Sequence, residues 1–294
     1  MSYTSAQQIL LPESTMKHRR ERKITVAVNS RDRNLTANYF SNNFRWEFRR
    51  PLKDIKSIEL VNGSIPADLY NVNTDWNKFT FAEEGASLSI ITLTPGQYTA
   101  AQLATQLATQ LNAVPGKLNT YAVTYSSITK VMTITGTGAP TKEFTLYFKS
   151  GTYRDDIDVN NGSISSLNCP AKLFGFEFWD YTSVSGVLVA PRRADPDYPI
   201  KHIYLHINAD NSMEMNRIET GAGRHDCFHI LYMNQLVDGY YYINQDTYIP
   251  IFYSAPAPIS RMSALYISIR DEFFRLIDLG NHDFTLVFEI TVLD

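Results

Sequence analysis

Cysteine is scarce in this sequence, which contains two among 294 residues, Cys169 and Cys227. Two cysteines are too few for a disulfide framework and form no C-x-x-C metal pattern, so we expect free thiols in a reducing compartment. Long hydrophobic runs are also missing, because no stretch approaches the roughly 18 apolar residues of a membrane-spanning helix. The N-terminus lacks the apolar segment of a signal peptide. These absences predict a soluble, non-secreted protein.

Motifs that carry catalysis are absent as well, since the sequence contains no G-x-S-x-G, H-E-x-x-H or P-loop pattern. His202 and His206 fall in a predicted strand, where four residues separate the Cα atoms by about 13 Å, too far to share one zinc ion. His225, Cys227 and His229 alternate on one strand face, and two of them could chelate a metal, but no carboxylate or further histidine clusters nearby. Ordinary strand packing is the favoured interpretation. The sequence therefore predicts no enzymatic activity, no metal and no cofactor.

Charged residues are few, at 19% of the chain, and the two signs are unevenly placed. Residues 1–50 contain ten Lys and Arg against four Asp and Glu, a net charge of +6, which leaves −9 for residues 51–294. We expect residues 1–22 to form a basic N-terminal arm outside the core. Such an arm can pair with an acidic protein surface, bind nucleic acid or lipid headgroups, or remain solvated. The interface candidates in this arm are Lys17, Arg19, Arg20 and Arg22.

Aromatic residues are abundant, with 18 Tyr and 16 Phe, and they recur in alternating patterns. Phe44, Trp46 and Phe48 alternate with charged residues, which is typical of a half-buried strand. Similar segments, separated by turn-forming residues, predict about ten to twelve strands. A tyrosine-rich segment at residues 239–248 suits a protein interface or the stacking of sugars or bases. Its interface candidates are Tyr240, Tyr241 and Tyr242.

One stretch predicts a helix, at about residues 99–112. Thr99 and Gln102 form a T-x-x-Q capping box, and a Pro-Gly pair at 115–116 ends the helix. Its apolar face consists of Ala100, Leu103, Ala104, Leu107 and Leu111. The opposite face has no ionisable side chain, so we interpret the helix as structural cover for a sheet rather than as a reactive element. The segment that follows, residues 121–134, predicts a hairpin.

Together these elements predict an all-β fold, a single jelly-roll-type β-sandwich with one inserted amphipathic helix and a following hairpin. We expect the jelly-roll domain to span residues 23–294, with the helix-hairpin insert at about residues 95–136. No repeat of fixed period is present, which argues against propellers and solenoids.

Several segments, taken in order, are similar to one group of proteins. They are "NSRDRN" (29–34), "SNNFRWEF" continuing to "PADLYNVN" (41–73), "ITLTPGQYTAAQLATQLATQLN" (91–112), "YAVTYSSITKVMTIT" (121–135), "KLFGF" (172–176) and "LYISIRD" to "FTLVFEI" (265–290). In this order they resemble the jelly-roll capsid proteins, of minor capsid and penton type, of large eukaryotic double-stranded DNA viruses. The resemblance covers about residues 24–290 and is most specific over residues 41–135.

The resemblance implies a structural virion protein, the penton, which closes an icosahedral shell at its five-fold vertices through contacts with neighbouring capsomers. It implies a homopentamer whose partners are capsomers of the major capsid protein and, through the basic arm, other minor capsid proteins. Contact with nucleic acid or membrane is expected only through that arm, and no small-molecule substrate is expected. The expected location is the virion capsid, after assembly in the host cytoplasm.

Three alternatives stay open at the level of sequence. The first is another minor capsid or cement protein, beneath or between the major capsomers. The second is a host-attachment or glycan-binding module of the virion, which the tyrosine-rich segments suggest. The third is a cupin-like metalloenzyme, since jelly rolls can hold histidine-ligated metals.

Overall fold

A computed structural model gives the three-dimensional structure of the chain. It describes residues 19–37, 39–66, 69–158, 164–197, 200–209, 213–215, 218–219, 226–232, 236–237, 239–243, 252–280 and 282–294.

The described residues are mainly strands. The strands are β1 (Glu21–Asn29), β2 (Asn43–Pro66), β3 (Lys78–Glu83), β4 (Ser89–Thr92), β5 (Thr120–Tyr125), β6 (Met132–Thr137), β7 (Phe144–Tyr147), β8 (Asp156–Ile157), β9 (Ile164–Ser166), β10 (Asp180–Thr182), β11 (Val187–Val189), β12 (His202–Ala209), β13 (Met213–Glu214), β14 (Ile218–Glu219), β15 (Asp226–Cys227), β16 (His229–Tyr232), β17 (Leu236–Val237), β18 (Tyr240–Ile243), β19 (Phe252–Arg270) and β20 (Thr285–Leu293). One α-helix, α1 (Ala100–Asn112), and two short 3-10 helices, Ser30–Asp32 and Ala171–Phe174, complete the described elements.

The largest sheet is antiparallel and joins the two ends of the described chain. Its strand order is β1-β20-β2-β19-β12-β13, with β16 on β12, β18 on β2 and β17 on β18. The first strand pairs with the last along its whole length, from Glu21 opposite Leu293 to Asn29 opposite Thr285. Strands that are neighbours in this sheet are mostly distant in sequence, which is the crossover pattern of Greek-key and jelly-roll folds.

Strand β2 is the central strand of this sheet, and irregular pairing decides which of its side chains are buried. Ile55, Ile58 and Leu60 are all fully buried, although Ile55 and Ile58 are three residues apart and would face opposite sides of a regular strand. The register to β20 shifts between Ile55 and Ser57, as in a β-bulge, and Asp54 has a positive φ of 51°. The extra residue at the bulge turns both isoleucines into the same core.

A second hydrophobic core lies within residues 72–194. It is enclosed by the sheet β10-β7-β3-β4, the sheet β11-β6-β5 and helix α1. The helix packs on β5 and on the 3-10 turn Ala171–Phe174, so it covers a sheet of this second core and not the largest sheet.

The helix has the features that its sequence predicts. Thr99 is the N-cap, its hydroxyl accepts the Gln102 N–H, and the Gln102 side chain bonds back to the Thr99 N–H, which completes the capping box. The five residues predicted for the apolar face are the buried ones, namely Ala100, Leu103, Ala104, Leu107 and Leu111. Strands β5 and β6 form the predicted hairpin.

A buried carboxylate ties β3 to this hairpin. Glu83 accepts hydrogen bonds from the backbone N–H groups of Leu118 and Asn119, the latter at 2.8 Å, and from the Tyr121 hydroxyl at 2.5 Å. Burial, and then the bond to Glu83, raise the pKa of Tyr121 far above its usual range. The tyrosine therefore stays protonated and acts as a structural donor.

The predicted fold class is confirmed: the sheets are antiparallel, and the helix and the hairpin lie where they were expected. The start of the first strand differs from the expected end of the arm. Glu21 and Arg22, assigned to the arm, begin β1 because their backbones pair with Leu293 and Val292. The helix-hairpin insert expected at about residues 95–136 shares its core with strands on both sides of it in sequence. Residues 1–18 lie outside the described residues, and the division into an arm and one domain stays a prediction.

One arginine joins the loop before β20 to the second core. The guanidinium of Arg275 donates through Nε to Asp271 at 3.0 Å and through NH1 to the Leu167 carbonyl at 2.7 Å. Its carbon lies 4.9 Å from the centroid of the Trp76 ring, a cation–π distance. Asp271 is buried and also accepts the backbone N–H groups of Phe273 and Arg275. The half-buried Arg275, held by its ion pair with buried Asp271, therefore ties this turn to the second core.

Replacing Leu107 with Asp should unfold the protein or its second core. The side chain is fully buried on the helix, and the change both removes apolar contacts and buries a carboxylate, at a cost of about 4 kcal/mol or more. Urea unfolding measures the difference. Thr105→Asp, on the exposed side of the same helix, is the control and should stay close to wild type, while wild-type stability of Leu107→Asp would contradict the assigned core.

Replacing Arg275 with Gln should destabilise the protein by about 3 kcal/mol, because it leaves Asp271 buried without its cation. The control is Arg192→Gln, which breaks an exposed ion pair with Glu177 and should cost less than about 1 kcal/mol. Equal losses for the two variants in urea unfolding would show that the pair of Arg275 with buried Asp271 stabilises the protein no more than an exposed pair does.

Candidate interaction surfaces

The cysteines and histidines that the structure describes do not gather into a group that could hold a metal ion. Cys169 and Cys227 are buried free thiols, as predicted, and burial raises the pKa of Cys169, so this thiol is not a ready nucleophile. No group of three or more His, Cys, Asp or Glu among the described residues could hold a metal ion. None of the helices in the described residues is long and apolar enough to cross a membrane.

The predicted strand-packing role of the histidines fits their positions. His206 is buried on β12 with its ring 5.2 Å from that of Phe274. His229 is 6% exposed on β16, and burial lowers its pKa to about 4, so it is neutral at pH 7. His225, the other histidine of the predicted alternating set, lies outside the described residues.

The basic residues proposed as an interface lie at one end of β1, where acidic groups of the same chain meet two of them. Arg19 is 3.3 Å from Asp54, and Arg22 is 3.4 Å from Asp294. Arg20 is exposed, and its backbone carbonyl accepts the Asp294 N–H at 2.9 Å. These exposed ion pairs add little stability, so the arginines can exchange partners at low cost. Lys17 lies outside the described residues.

The three tyrosines proposed as an interface lie elsewhere, on β18. Tyr241 packs against the core of the largest sheet, whereas Tyr240 and Tyr242 have ring centroids 6.3 Å apart and Tyr242 is exposed. Tyr242 is opposite Ser64, which is opposite Thr285 on β20, while Arg22 is opposite Val292. Seven residues of strand separate those two positions by about 23 Å. The arginines and tyrosines therefore do not form one site, and their interface roles stay predictions.

The structure brings together a groove on the outer face of the largest sheet, which we call the outer groove. Arg45 on β2, Tyr266 on β19 and Asn208 on β12 lie directly opposite one another across three strands. The adjoining row is Asn43, Ser268 and His206. The outer groove has a volume of about 500 Å³ and is lined by Asn43, His206, Asn208, Tyr266, Ile267, Ser268 and Arg270.

A turn after β19 borders one end of the outer groove. Phe274 has a φ of +66°, a left-handed conformation that is rare for an aromatic residue. Arg270 lies 4.1 Å from the centroid of the Phe274 ring and donates from NH1 to its carbonyl at 2.6 Å. Nε of the same arginine donates to Ser268 at 3.1 Å. These bonds fix the guanidinium beside the groove.

A second surface is the outer edge of β4, with which no other strand in the described part of the chain pairs, and which we call the β4 edge. The Leu93 N–H of the chain just after β4 donates to the Asn77 carbonyl just before β3. In an antiparallel pair of strands, only every second residue directs its backbone N–H and carbonyl toward the partner strand. Ile91 and Ser89 therefore bond to β3, while the backbone groups of Ile90 and Thr92 point away from the sheet. Ile90 is 54% exposed, and Leu88 and Leu118 nearby are exposed as well. An edge of this kind can pair with another chain.

The outer strand β11 has the same character. Ala190 directs its backbone N–H toward β6 and bonds to it. Because successive residues of a strand direct their backbone groups to opposite sides, those of Val189 point away from β6. Val184 and Val189 are exposed apolar side chains at this edge. Exposed apolar residues thus lie at two of the four outer strands of the second core, β4 and β11, which suits a surface that another protein covers.

Comparison with known protein families decides the family. Residues 13–172 match the family described as "Family of unknown function (DUF5901)", and this span is more than half of the chain. The chain belongs to the DUF5901 family. The matched residues of this DUF5901 protein contain strands β1 to β9, helix α1 and the hairpin.

Among curated proteins, none matches this DUF5901 protein. Among solved structures, the mavirus penton protein is 10% identical with a TM-score of 0.45, covering 94% of this chain and 100% of the mavirus chain. A chain in the cryo-EM structure of the Sputnik virophage is 12% identical with a TM-score of 0.36, covering 92% of this chain and 98% of the other.

Sequence reasoning missed both surfaces of this DUF5901 protein. The alternation of Tyr266, Ser268 and Arg270 with buried isoleucines is visible in the sequence and places them on one outer face. Their register against Arg45 and Asn208 cannot be read from the sequence, because it depends on which distant strands pair. The β4 edge likewise depends on β4 being the last strand of its sheet.

Burial of neutral His229 should make the stability of the protein fall at acid pH. The unfolded side chain has a pKa of about 6.5 and the folded one about 4, so the unfolded chain takes up the proton first. The stability associated with His229 is complete above about pH 6.5, declines as the pH falls, and is about 2 kcal/mol lower at pH 5.

Urea unfolding of wild type and His229→Gln at pH 7.5 and pH 5 measures this contribution. The wild type should lose about 2 kcal/mol more than the variant between the two values, because other groups titrate in both proteins. An identical pH dependence would mean that His229 is not neutral and buried in the folded state.

Proposed function

We propose that this DUF5901 protein is a structural, non-enzymatic protein of a virion capsid, and that it acts as the penton at five-fold vertices. The observation that carries the proposal is a pair of apolar edges on the second core, β4 and β11, along whose outer sides no strand of the described residues pairs. Exposed edges of this kind favour association with other chains, and a ring of identical subunits would cover them repeatedly.

The segments that resemble penton-type proteins support the proposal because they are in contact with one another. The Arg33 side chain, in "NSRDRN", is almost fully buried and donates from NH1 to Asp283 at 2.7 Å and to the Ser30 carbonyl at 2.7 Å. Asp283 lies in the closing segment, about 250 residues later. Burial acts to raise the pKa of Asp283, but hydrogen bonds from Ser30 and Arg33 outweigh it and lower the pKa. The first and last segments of the resemblance thus form one packed unit.

In this role the chain acts through buried contact area and not through a reaction. The β4 edge and the neighbouring end of α1 provide a surface for the next subunit, with Ile90 and Leu88 as apolar contacts. The partners in the proposal are four further copies of the chain and the capsomers of the major capsid protein. The basic arm would reach other minor capsid proteins, nucleic acid or membrane, and assembly would take place in the host cytoplasm.

Native mass spectrometry of the purified chain tests the subunit number, and the expected result is a closed pentamer. Ile90→Lys puts a charge at the β4 edge and should weaken pentamer formation at least about tenfold, since burying an isoleucine contributes about 1.5–3 kcal/mol. Ile128→Lys makes the same change at a hairpin turn that is 92% exposed and should leave assembly unchanged.

Two results would contradict parts of the proposal separately. Equal assembly of both lysine variants would exclude the β4 edge as the subunit contact. A chain that forms no pentamer, or that maps away from the vertices in a reconstruction of the particle, would exclude the penton role and favour a cement protein instead.

A further inference from the structure

Two buried polar atoms, one in the lining of the outer groove and one beside it, have incomplete hydrogen bonding. Nε of Arg45 and Oδ1 of Asn208 are buried and have no hydrogen-bond partner among the described residues. They belong to the two residues that flank Tyr266 in one row across the sheet. A buried polar atom without a partner is costly and rare in folded proteins, so these two atoms favour a polar ligand at this place.

The two atoms require complementary partners. Nε of arginine only donates, and the amide oxygen of asparagine only accepts. A hydroxyl group does both, so a ligand rich in hydroxyls satisfies either atom. Asn208 lines the outer groove, and because the χ2 torsion of asparagine is broad, a modest rotation turns its oxygen toward a bound molecule.

The residue between them supplies a flat apolar surface. Tyr266 is 43% exposed at the groove, and the Arg45 guanidinium carbon lies 5.7 Å from its ring centroid. Positive edges and C–H groups of a ligand are attracted to the negative face of such a ring. The groove volume of about 500 Å³ lies within the range of small-molecule sites, roughly 300–1,000 Å³.

The charges around the groove narrow the ligand class further. Its lining contains one arginine, Arg270, and no carboxylate, while Arg45 is paired with Glu47. So few cations do not suit nucleic acid, which needs several phosphate contacts. The polar rows do not suit a purely apolar ligand either.

We propose that the outer groove binds a carbohydrate. One sugar ring stacks on Tyr266, and its hydroxyls hydrogen-bond to Asn208 on one side and to Arg45 on the other. This site lies on β2, β12 and β19, whereas the β4 edge belongs to the second core, so binding does not depend on the proposed penton role.

Saturation-transfer difference NMR on the full chain tests the proposal with three probes, galactose, N-acetylglucosamine and N-acetylneuraminic acid, each up to about 10 mM. At least one probe should bind. Selective binding of the acidic sugar assigns Arg270 a part in recognition, whereas equal binding of the neutral sugars assigns recognition to the hydroxyls.

Variants then locate the binding site. Tyr266→Ala should weaken binding about three- to tenfold, Tyr266→Phe should retain it because the ring remains, and Asn208→Ala should weaken it. The matched control is Tyr232→Ala, which removes a 55% exposed tyrosine from a strand that pairs with β12 outside the groove. Circular dichroism melts show whether each variant is folded.

Three outcomes would overturn the proposal: no probe binds, folded Tyr266→Ala binds as well as wild type, or Tyr232→Ala loses binding to the same extent. Each of these leaves the subunit number measured by native mass spectrometry unaffected. Failure of sugar binding and failure of the penton role are therefore distinguishable.

Discussion

The structure depends on the pairing of strand β2, whose 24 residues lie between β20 on one side and β19 with β18 on the other. Strand β2 therefore pairs both with β20, the last strand, and with β18 and β19, which precede β20 in the sequence. Its bulge at Ile55 places two isoleucines in the same core, although their spacing does not suit a regular strand. Loss of that register would move apolar side chains to solvent and would also separate Arg45 from Tyr266.

The second core follows from the same arrangement. The chain leaves the largest sheet after β2 and returns to it at β12, so the apolar side chains between these strands must pack against one another. Helix α1 and the hairpin provide it, with Glu83 holding the hairpin to β3. Arg275, paired with buried Asp271, then joins this core to the turn before β20 through its contacts with Leu167 and Trp76. The unpaired edges that remain, at β4 and β11, are the surfaces on which the proposed assembly depends.

Assembly and ligand binding would use different parts of the molecule. The β4 edge offers backbone groups and apolar side chains, which suit a protein neighbour. The outer groove offers an aromatic ring between a donor and an acceptor, which suits a hydroxyl-rich ligand. In the proposed role the chain would assemble through the second core and present the outer face of the largest sheet to its surroundings. The host-attachment alternative raised by the sequence would then be a second proposed property of the same chain.

The sequence by itself determined the local elements. The capping box at Thr99 and the apolar spacing through Leu111 define α1 because a helix forms from neighbours three and four residues apart, and the alternation in β5 and β6 defines the hairpin for the same reason. The all-β class and the free thiols could also be predicted. Only the tertiary structure decided that residues 72–194 form a second core, that β4 is an edge, and that residues 45, 208 and 266 meet in one row. Those features arise from pairings between strands far apart in sequence, and alternation shows which face a side chain is on but not which strand lies beside it.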